Sequence, residues 1–243
     1  MQRHSGRTST QLRPLTFEPH YLRHPEGSCL LKMGNTWVLA TASVEEKLPP
    51  FMEKKGSGWI TAEYAMLPRS THTRSRREVA AGKPTGRTQE IQRLIGRSLR
   101  ACVNAKFLGE RTFTIDCDVI QADGGTRTAS INAGYVALNL AVQKLRRDGK
   151  IKENPFVAQV GALSLGLNDG QILVDLDYEE DVACGVDMNF VLLSNGELVE
   201  LQGTAERGTF KATDVMSMLT TVSACMTPLF EAQARACLEP LAS

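Results

Sequence analysis

Apolar Phe113, Ile115, Cys117 and Val119 alternate with polar Thr114, Asp116 and Asp118, which predicts a half-buried strand over 112–120. The same reading finds a β-hairpin earlier in the chain: a strand over 28–33, a Gly34-Asn35 turn that tolerates positive φ, and a β-rich run over 36–41. A third strand is expected over 59–66. Further strands are expected over 156–167 and 171–178, around Asn168-Asp169-Gly170, and over 186–194 and 197–203, around Asn195-Gly196. A helical period replaces the alternation at Ile91, Leu94, Ile95, Leu99, Cys102 and Val103, predicting an amphipathic helix over 88–106. A mostly apolar helix follows over 129–145, closed by the basic run Lys144, Arg146, Arg147 and then Asp148-Gly149. The last helix is expected from about Thr213, with Thr213 or Asp214 as its cap and Pro228 as a kink or break. Strands followed by helices, twice over, place the chain in the α+β class. It reads as one domain over 1–243 with structural halves at about 1–150 and 151–243.

Between the strand over 112–120 and the apolar helix lies Gly124-Gly125-Thr126-Arg127. Two glycines let backbone approach an anion, a helix start offers unpaired N–H groups, and Thr126 and Arg127 add a hydroxyl and a forked cation. The ligand this favours is a phosphate group. A tight strand-to-helix connection without ligand accounts for the four residues equally well. Arg69, Arg74, Arg76, Arg77 and Lys83 stand against the single acid Glu78 in a basic loop, and Arg93, Arg97 and Arg100 recur at helical spacing. Together they could track a nucleic-acid backbone, or form a solvated face.

With 243 residues, 42% of them hydrophobic, the chain can bury a large core, and its net charge of +1 leaves only local clustering to attract nucleic acid. Six cysteines form neither a CxxC pair nor a zinc-ligand pattern and read as reduced structural thiols. The four histidines take no nucleophile or metal spacing. No leader is evident, and no stretch approaches the roughly 20 apolar residues a bilayer span needs, so the expectation is a cytoplasmic protein without membrane contact.

Asp175, Asp177, Glu179, Glu180, Asp181 and Asp187 form an acidic cluster. Asp175 and Asp177 would share the polar face of the strand over 171–178, and a turn-like Val-Ala-Cys-Gly segment could bring Asp181 and Asp187 to one point. Two close carboxylates either share a proton or hold a hard cation such as Mg²⁺. The alternative is a solvated acidic loop, which spacing alone favours. Cradle, basic loop and carboxylates in one chain suggest chemistry on phosphodiesters, with a bound anion serving as an already ionised nucleophile.

The sequence resembles the ribonuclease PH family of phosphorolytic 3′ to 5′ exoribonucleases, related to polynucleotide phosphorylase and the exosome ring. The likeness runs through Gly6-Arg7, Leu12-Arg13-Pro14, Thr41-Ala42-Ser43-Val44, 58–64, 66–69, 71–74, Gly86-Arg87-Thr88, 90–95, 116–130, Val186-Asp187-Met188-Asn189 and Gln202-Gly203-Thr204-Ala205-Glu206. It implies the ribonuclease PH fold, two βαβα-type halves of the ribosomal-protein-S5-domain-2-like class. It also implies that Arg87, Gly125, Thr126 and Arg127 bind inorganic phosphate, which attacks the last linkage of an RNA and releases a nucleoside diphosphate. Asp181 and Asp187 match the family's acidic pair, as catalytic groups and ligands of Mg²⁺. Arg69, Arg74, Arg76, Arg77, Arg93 and Arg97 are expected to contact RNA, with tRNA precursor 3′ ends as substrate and a homohexamer, a trimer of dimers, as the assembly. Relatives in the exosome keep the fold as noncatalytic RNA-binding ring subunits; retention of Arg87, Arg127, Asp181 and Asp187 argues against that here. Ala65 and Arg207 stand where the family commonly has glycine.

Overall fold

A computed structural model describes residues 3–239. Strands β1 (Leu15–Pro19), β2 (Gly27–Met33), β3 (Thr36–Glu45), β4 (Trp59–Met66) and β5 (Thr112–Gln121) form a sheet in the order β1-β2-β3-β5-β4. Strands β6 (Val160–Asn168), β7 (Gln171–Val174), β8 (Val186–Leu193) and β9 (Leu198–Ala205) form a second, in the order β7-β6-β8-β9. Helix α1 (Gly86–Ala101) carries the chain from β4 to β5, which pair in parallel, as a crossover requires. Helix α2 (Thr126–Arg147) follows β5, α3 (Tyr178–Ala183) lies between β7 and β8, and α4 (Ala212–Cys225) and α5 (Thr227–Leu238) end the described chain.

Helix α2 is apolar on almost every side because it packs on β2, β3 and β5 of the first sheet and on β6 of the second. Its buried Asn132 donates to the Ala162 carbonyl (2.9 Å) and accepts from the Ala162 amide (2.8 Å). One side chain thereby satisfies a strand residue's two backbone groups and ties helix to second sheet. The hairpin, β4, β5, β8 and both Asn-Gly-type turns fall where alternation and turn chemistry place them.

Five elements differ from the sequence reading, each for a local reason. The strand expected from Phe156 begins only at Val160, because Phe156 is taken up in an isolated bridge to Val103. β1 has a single buried residue, Phe17, and ends at a proline, so as an edge strand beside β2 it carries too little alternation to be read. The segment over 171–178 is a strand only to Val174; Asp175 takes φ +58° and Asp177 caps α3. Asp177 and Glu180 form a reciprocal capping box, a signature present in the sequence as Asp177-Tyr178-Glu179-Glu180. α1 begins at Gly86 and stops at Ala101, with 105–108 a separate 3₁₀ turn capped by Asn104. The last helix starts after Lys211; Thr213 is no cap, and the Asp214 carboxylate accepts the Lys211 amide hydrogen.

Pro228 does mark a break, standing second in α5, which opens at Thr227 directly after Met226. The run Ala212–Leu238 is nevertheless long and apolar enough by composition to cross a bilayer, contrary to the expectation that no stretch comes close. One side of it, through Met218, Val222, Leu229 and Ala236, is buried in the core, while Met216 and Leu238 are exposed.

The arginine stripe on α1 is not one surface. Arg100 stacks over Trp59 at 4.4 Å and donates to the Ile60 carbonyl at 2.8 Å, so it fastens α1 to β4. Arg100→Ala is expected to cost about 1–2 kcal/mol, combining one hydrogen bond and one cation–π contact, with RNA affinity unchanged. Thermal melting alongside an RNA-binding isotherm checks it.

Candidate functional site

The turn after β5 has to be glycine at two successive positions. Gly124 and Gly125 take φ of +73° and +62°, and a Cβ on Gly124 would lie 2.7 Å from the Leu176 carbonyl oxygen. Gly125 is the N-cap of α2 and has no side chain to cap it, so the first-turn N–H groups keep their affinity for an anion. This turn is packed directly on the backbone entering α3.

Gly124, Gly125, Thr126 and Arg127 line a cleft of about 1250 Å³. Arg87, from the first turn of α1, Asp181, from α3, and Asp187, from β8, line the same cleft. All six residues singled out for phosphate and for acid chemistry therefore meet in one space. The Thr126 hydroxyl accepts from the Tyr64 phenol at 3.0 Å and keeps its own hydrogen to donate.

Arg127 is held by two residues that sequence reading left out. Its Nη1 donates to Gln202 Oε1 (2.6 Å) and Glu90 Oε1 (3.3 Å), and Gln202 Nε2 donates to Glu90 (3.0 Å) and Glu200 (3.0 Å). Among the described residues Nη2 and Nε of Arg127 have no partner, so the fork retains donors for a ligand. Only the three-residue offset from Arg87 to Glu90, about one helical turn, and the 202–206 stretch hinted at this pairing.

Asp181 opens onto the cleft and Asp187 is half-buried, yet both carboxyls are pushed above the usual carboxylate range. For Asp181 the main cause is desolvation by the surrounding walls, then the charge of Asp187, with Arg87 and Arg127 opposing. For Asp187 desolvation again leads, then Glu206, again opposed by the two arginines. Exposure of a side chain to a narrow cleft is compatible with poor solvation of its charge, which reconciles the two properties of Asp181. Glu206, like Glu90, is a further carboxylate facing this site, and Arg207 donates at long range to the Val182 and Ala183 carbonyls at the end of α3.

The rest of the acidic cluster does something else. Asp175 and Asp177 do not share a strand face, and neither they nor Glu180 form a solvated loop: all three are buried. Asp175 pairs with Arg13 (2.7 Å), Asp177 with Arg7 (3.3 Å), and Glu180 with Arg3 (2.5 Å) and Arg7 (3.1 Å). Burial pushes the Glu180 carboxyl up, but the hydrogen bonds from Arg3 and the Asp177 amide outweigh it and hold it below its ordinary value. His4, Asp177 and Glu180 converge to within 4.8 Å, yet the arginines already neutralise that group and leave a cation little to gain.

The six arginines expected on RNA stay outside the cleft lining. Arg69, Arg74, Arg76 and Arg77 are exposed on the loop whose Thr71, His72 and Thr73 form one side of its mouth. Arg93 and Arg97 are exposed on α1, and Arg97 is paired with Glu200 at 2.5 Å.

Comparison with known proteins agrees with this architecture. The family described as the 3′ exoribonuclease family matches in both of its parts, domain 1 over residues 11–144 and domain 2 over 158–221. Among solved structures, rice (Oryza sativa) Rrp46 superposes with a TM-score of 0.78 at 19% identity, covering 97% of this chain and 100% of that one. A subunit of the Archaeoglobus fulgidus exosome with RNA bound to the active site gives 0.78 at 19% identity, covering 95% and 92%. An archaeal exosome core subunit gives 0.74 at 18%, covering 96% and 91%. The fold is thus that of the exosome ring structures, and with both family domains matched in order along its length, the chain belongs to the ribonuclease PH family of 3′ exoribonucleases.

Proposed function

We propose that the protein is a phosphate-dependent 3′ to 5′ exoribonuclease that trims the 3′ ends of tRNA precursors. The observation that carries this reading is the meeting of Arg87, Arg127 and the Gly124-Gly125 turn with Asp181 and Asp187 in one cleft. Inorganic phosphate seated by the two guanidiniums, the Thr126 hydroxyl and the α2 N-terminus is already ionised and needs no general base. One of its oxygens attacks the phosphorus of the terminal linkage. The bond from that phosphorus to the 3′ oxygen breaks, giving a nucleoside diphosphate and an RNA one residue shorter. The leaving 3′ oxygen takes up a proton, and a carboxyl whose pKa is raised is suited to supply or relay it.

Asp181 and Asp187 also fit Mg²⁺, which takes one or two carboxylates and keeps several waters. Bound there it would add positive charge beside the developing oxyanion. The resident groups meanwhile orient the phosphate, through Arg127 braced by Gln202, and neutralise its charge. The exposed arginines Arg69, Arg74, Arg76 and Arg77, on the loop whose Thr71, His72 and Thr73 line the cleft, and Arg93 on α1 suit the backbone of the incoming strand. In this reading the active unit is a homohexameric ring of three dimers, as the family resemblance implies.

Incubation with RNA and inorganic phosphate is expected to release nucleoside diphosphates, and omission of phosphate to stop the reaction. Monophosphates without phosphate would mean hydrolysis. Retained RNA binding with no product under either condition would favour a noncatalytic ring subunit that keeps the same fold.

A further inference from the structure

An anion site built from backbone needs its N–H groups turned toward the ligand and its carbonyls turned away. Three consecutive carbonyls in the phosphate turn are each held by a donor from the protein side. Asp123 O accepts Arg13 Nη1 at 2.5 Å, Gly124 O accepts the Thr36 hydroxyl at 2.6 Å, and Gly125 O accepts the Thr128 hydroxyl (2.9 Å) and the Ala129 amide (3.0 Å). In a trans peptide the N–H lies opposite the C=O of the same plane. Fixing the carbonyls of 123, 124 and 125 therefore fixes the N–H groups of 124, 125 and 126, which belong to residues lining the cleft.

The Gly125 carbonyl is held by α2 itself, as in any helix. The other two are held from outside it. Thr36, the first residue of β3, is fully buried; besides donating to Gly124 it accepts the Asp123 amide at 3.0 Å, so one hydroxyl grips both sides of the turn. Arg13 is 5% exposed and its fork is set by Asp175, whose two oxygens accept from Arg13 Nε, Nη2 and backbone N at 2.7–3.1 Å. Asp175 keeps φ at +58°, outside the comfortable region for a residue with a side chain, which marks a position dictated by its surroundings.

We propose that Arg13 and Thr36 are positioning residues for the phosphate nucleophile: by clamping the carbonyls of Asp123 and Gly124 they aim the turn's amides into the cleft. Neither needs to touch phosphate. The inference rests on the reading of the cleft as a phosphorolytic site, and it assigns a task to two segments, Leu12-Arg13-Pro14 and the start of β3, that the reaction itself does not use.

The test compares Thr36→Val, nearly the same shape without the hydroxyl, with Thr36→Ser, which restores it. Inorganic phosphate is titrated against each chain by calorimetry, RNA affinity is measured by fluorescence anisotropy, and KM for phosphate and kcat are taken from diphosphate release. Thr36→Val is expected to raise phosphate Kd and KM about tenfold, the loss of one charge-assisted or backbone-orienting hydrogen bond, with RNA affinity and kcat at saturating phosphate near wild type. Thr36→Ser is expected to restore phosphate affinity. Arg13→Lys, which keeps a cation against Asp175 but loses the fork, should shift phosphate affinity in the same direction as Thr36→Val. Unchanged phosphate Kd and KM in Thr36→Val, parallel loss of RNA affinity and kcat, or no recovery with serine would each overturn the clamp. Diphosphate release by the unaltered chain judges the underlying reading separately.

Discussion

Arg127→Ala is expected to lower phosphorolysis by roughly 10²–10³-fold, the usual cost of removing one preorganised donor from a developing negative charge, while leaving RNA affinity within about twofold. The asymmetry follows from place. Arg127 lies in the cleft lining on the first turn of α2, and the exposed arginines that suit the RNA backbone lie outside that lining. Its loss also frees Glu90 and Gln202, leaving the Glu90 carboxylate facing the cleft without its cation and repelling phosphate further. Lysine is not a rescue, because a point charge cannot contact Gln202 and an oxyanion with separate, rigidly spaced donors. Product release against phosphate concentration, beside anisotropy with a labelled RNA, measures both halves. Equal loss of RNA affinity would make Arg127 a backbone contact instead.

Asp187→Asn is expected to reduce turnover by roughly 10²–10⁴-fold, the range for removing a positioned acid–base group, and at the same time to make the protein more stable. Desolvation and Glu206 raise the folded-state pKa of Asp187, so the fold binds a proton there more tightly than the unfolded chain does. The ionised form therefore carries a penalty that is fully present at neutral pH, relaxes as pH falls through the raised value, and is gone below the ordinary carboxylate pKa. Asparagine removes the penalty. Its melting temperature at pH 7 should exceed wild type, and the gap should close in acid. Melting curves from pH 4 to 7 beside activity decide it; a destabilised Asp187→Asn would mean that the carboxylate is held by contacts that the amide cannot replace.

The strands other than β1 and the two longest helices were legible because their patterns are clean: alternation in β5, the i, i+3, i+4 spacing of α1, and continuous apolarity in α2. The cradle was legible because glycine pairs between a strand and a helix answer to local backbone needs. What stayed hidden depends on residues far apart in sequence. The pairing of Arg3, Arg7 and Arg13 with Glu180, Asp177 and Asp175 spans more than 160 positions, and neither group announces the other. An acid cluster and scattered arginines each look solvated until the fold closes them together. Glu90 and Glu206 fell within the stretches that carry the family likeness but received no place in the site for the same reason: one glutamate on a helix and one past a strand end carry no sign of the cleft between them.

Because α2 is a shared wall, with Arg127 at its head and Asn132 stitched to β6, the distance from guanidinium to Asp187 is fixed by packing. Among the described residues α2, β6 and β8 share one buried cluster, so parting such jaws would break the core that joins them. In the proposed reaction a polymer end would therefore have to enter a space already formed, and the pace of shortening would be set by the strand's own advance instead of any closure of the protein around it.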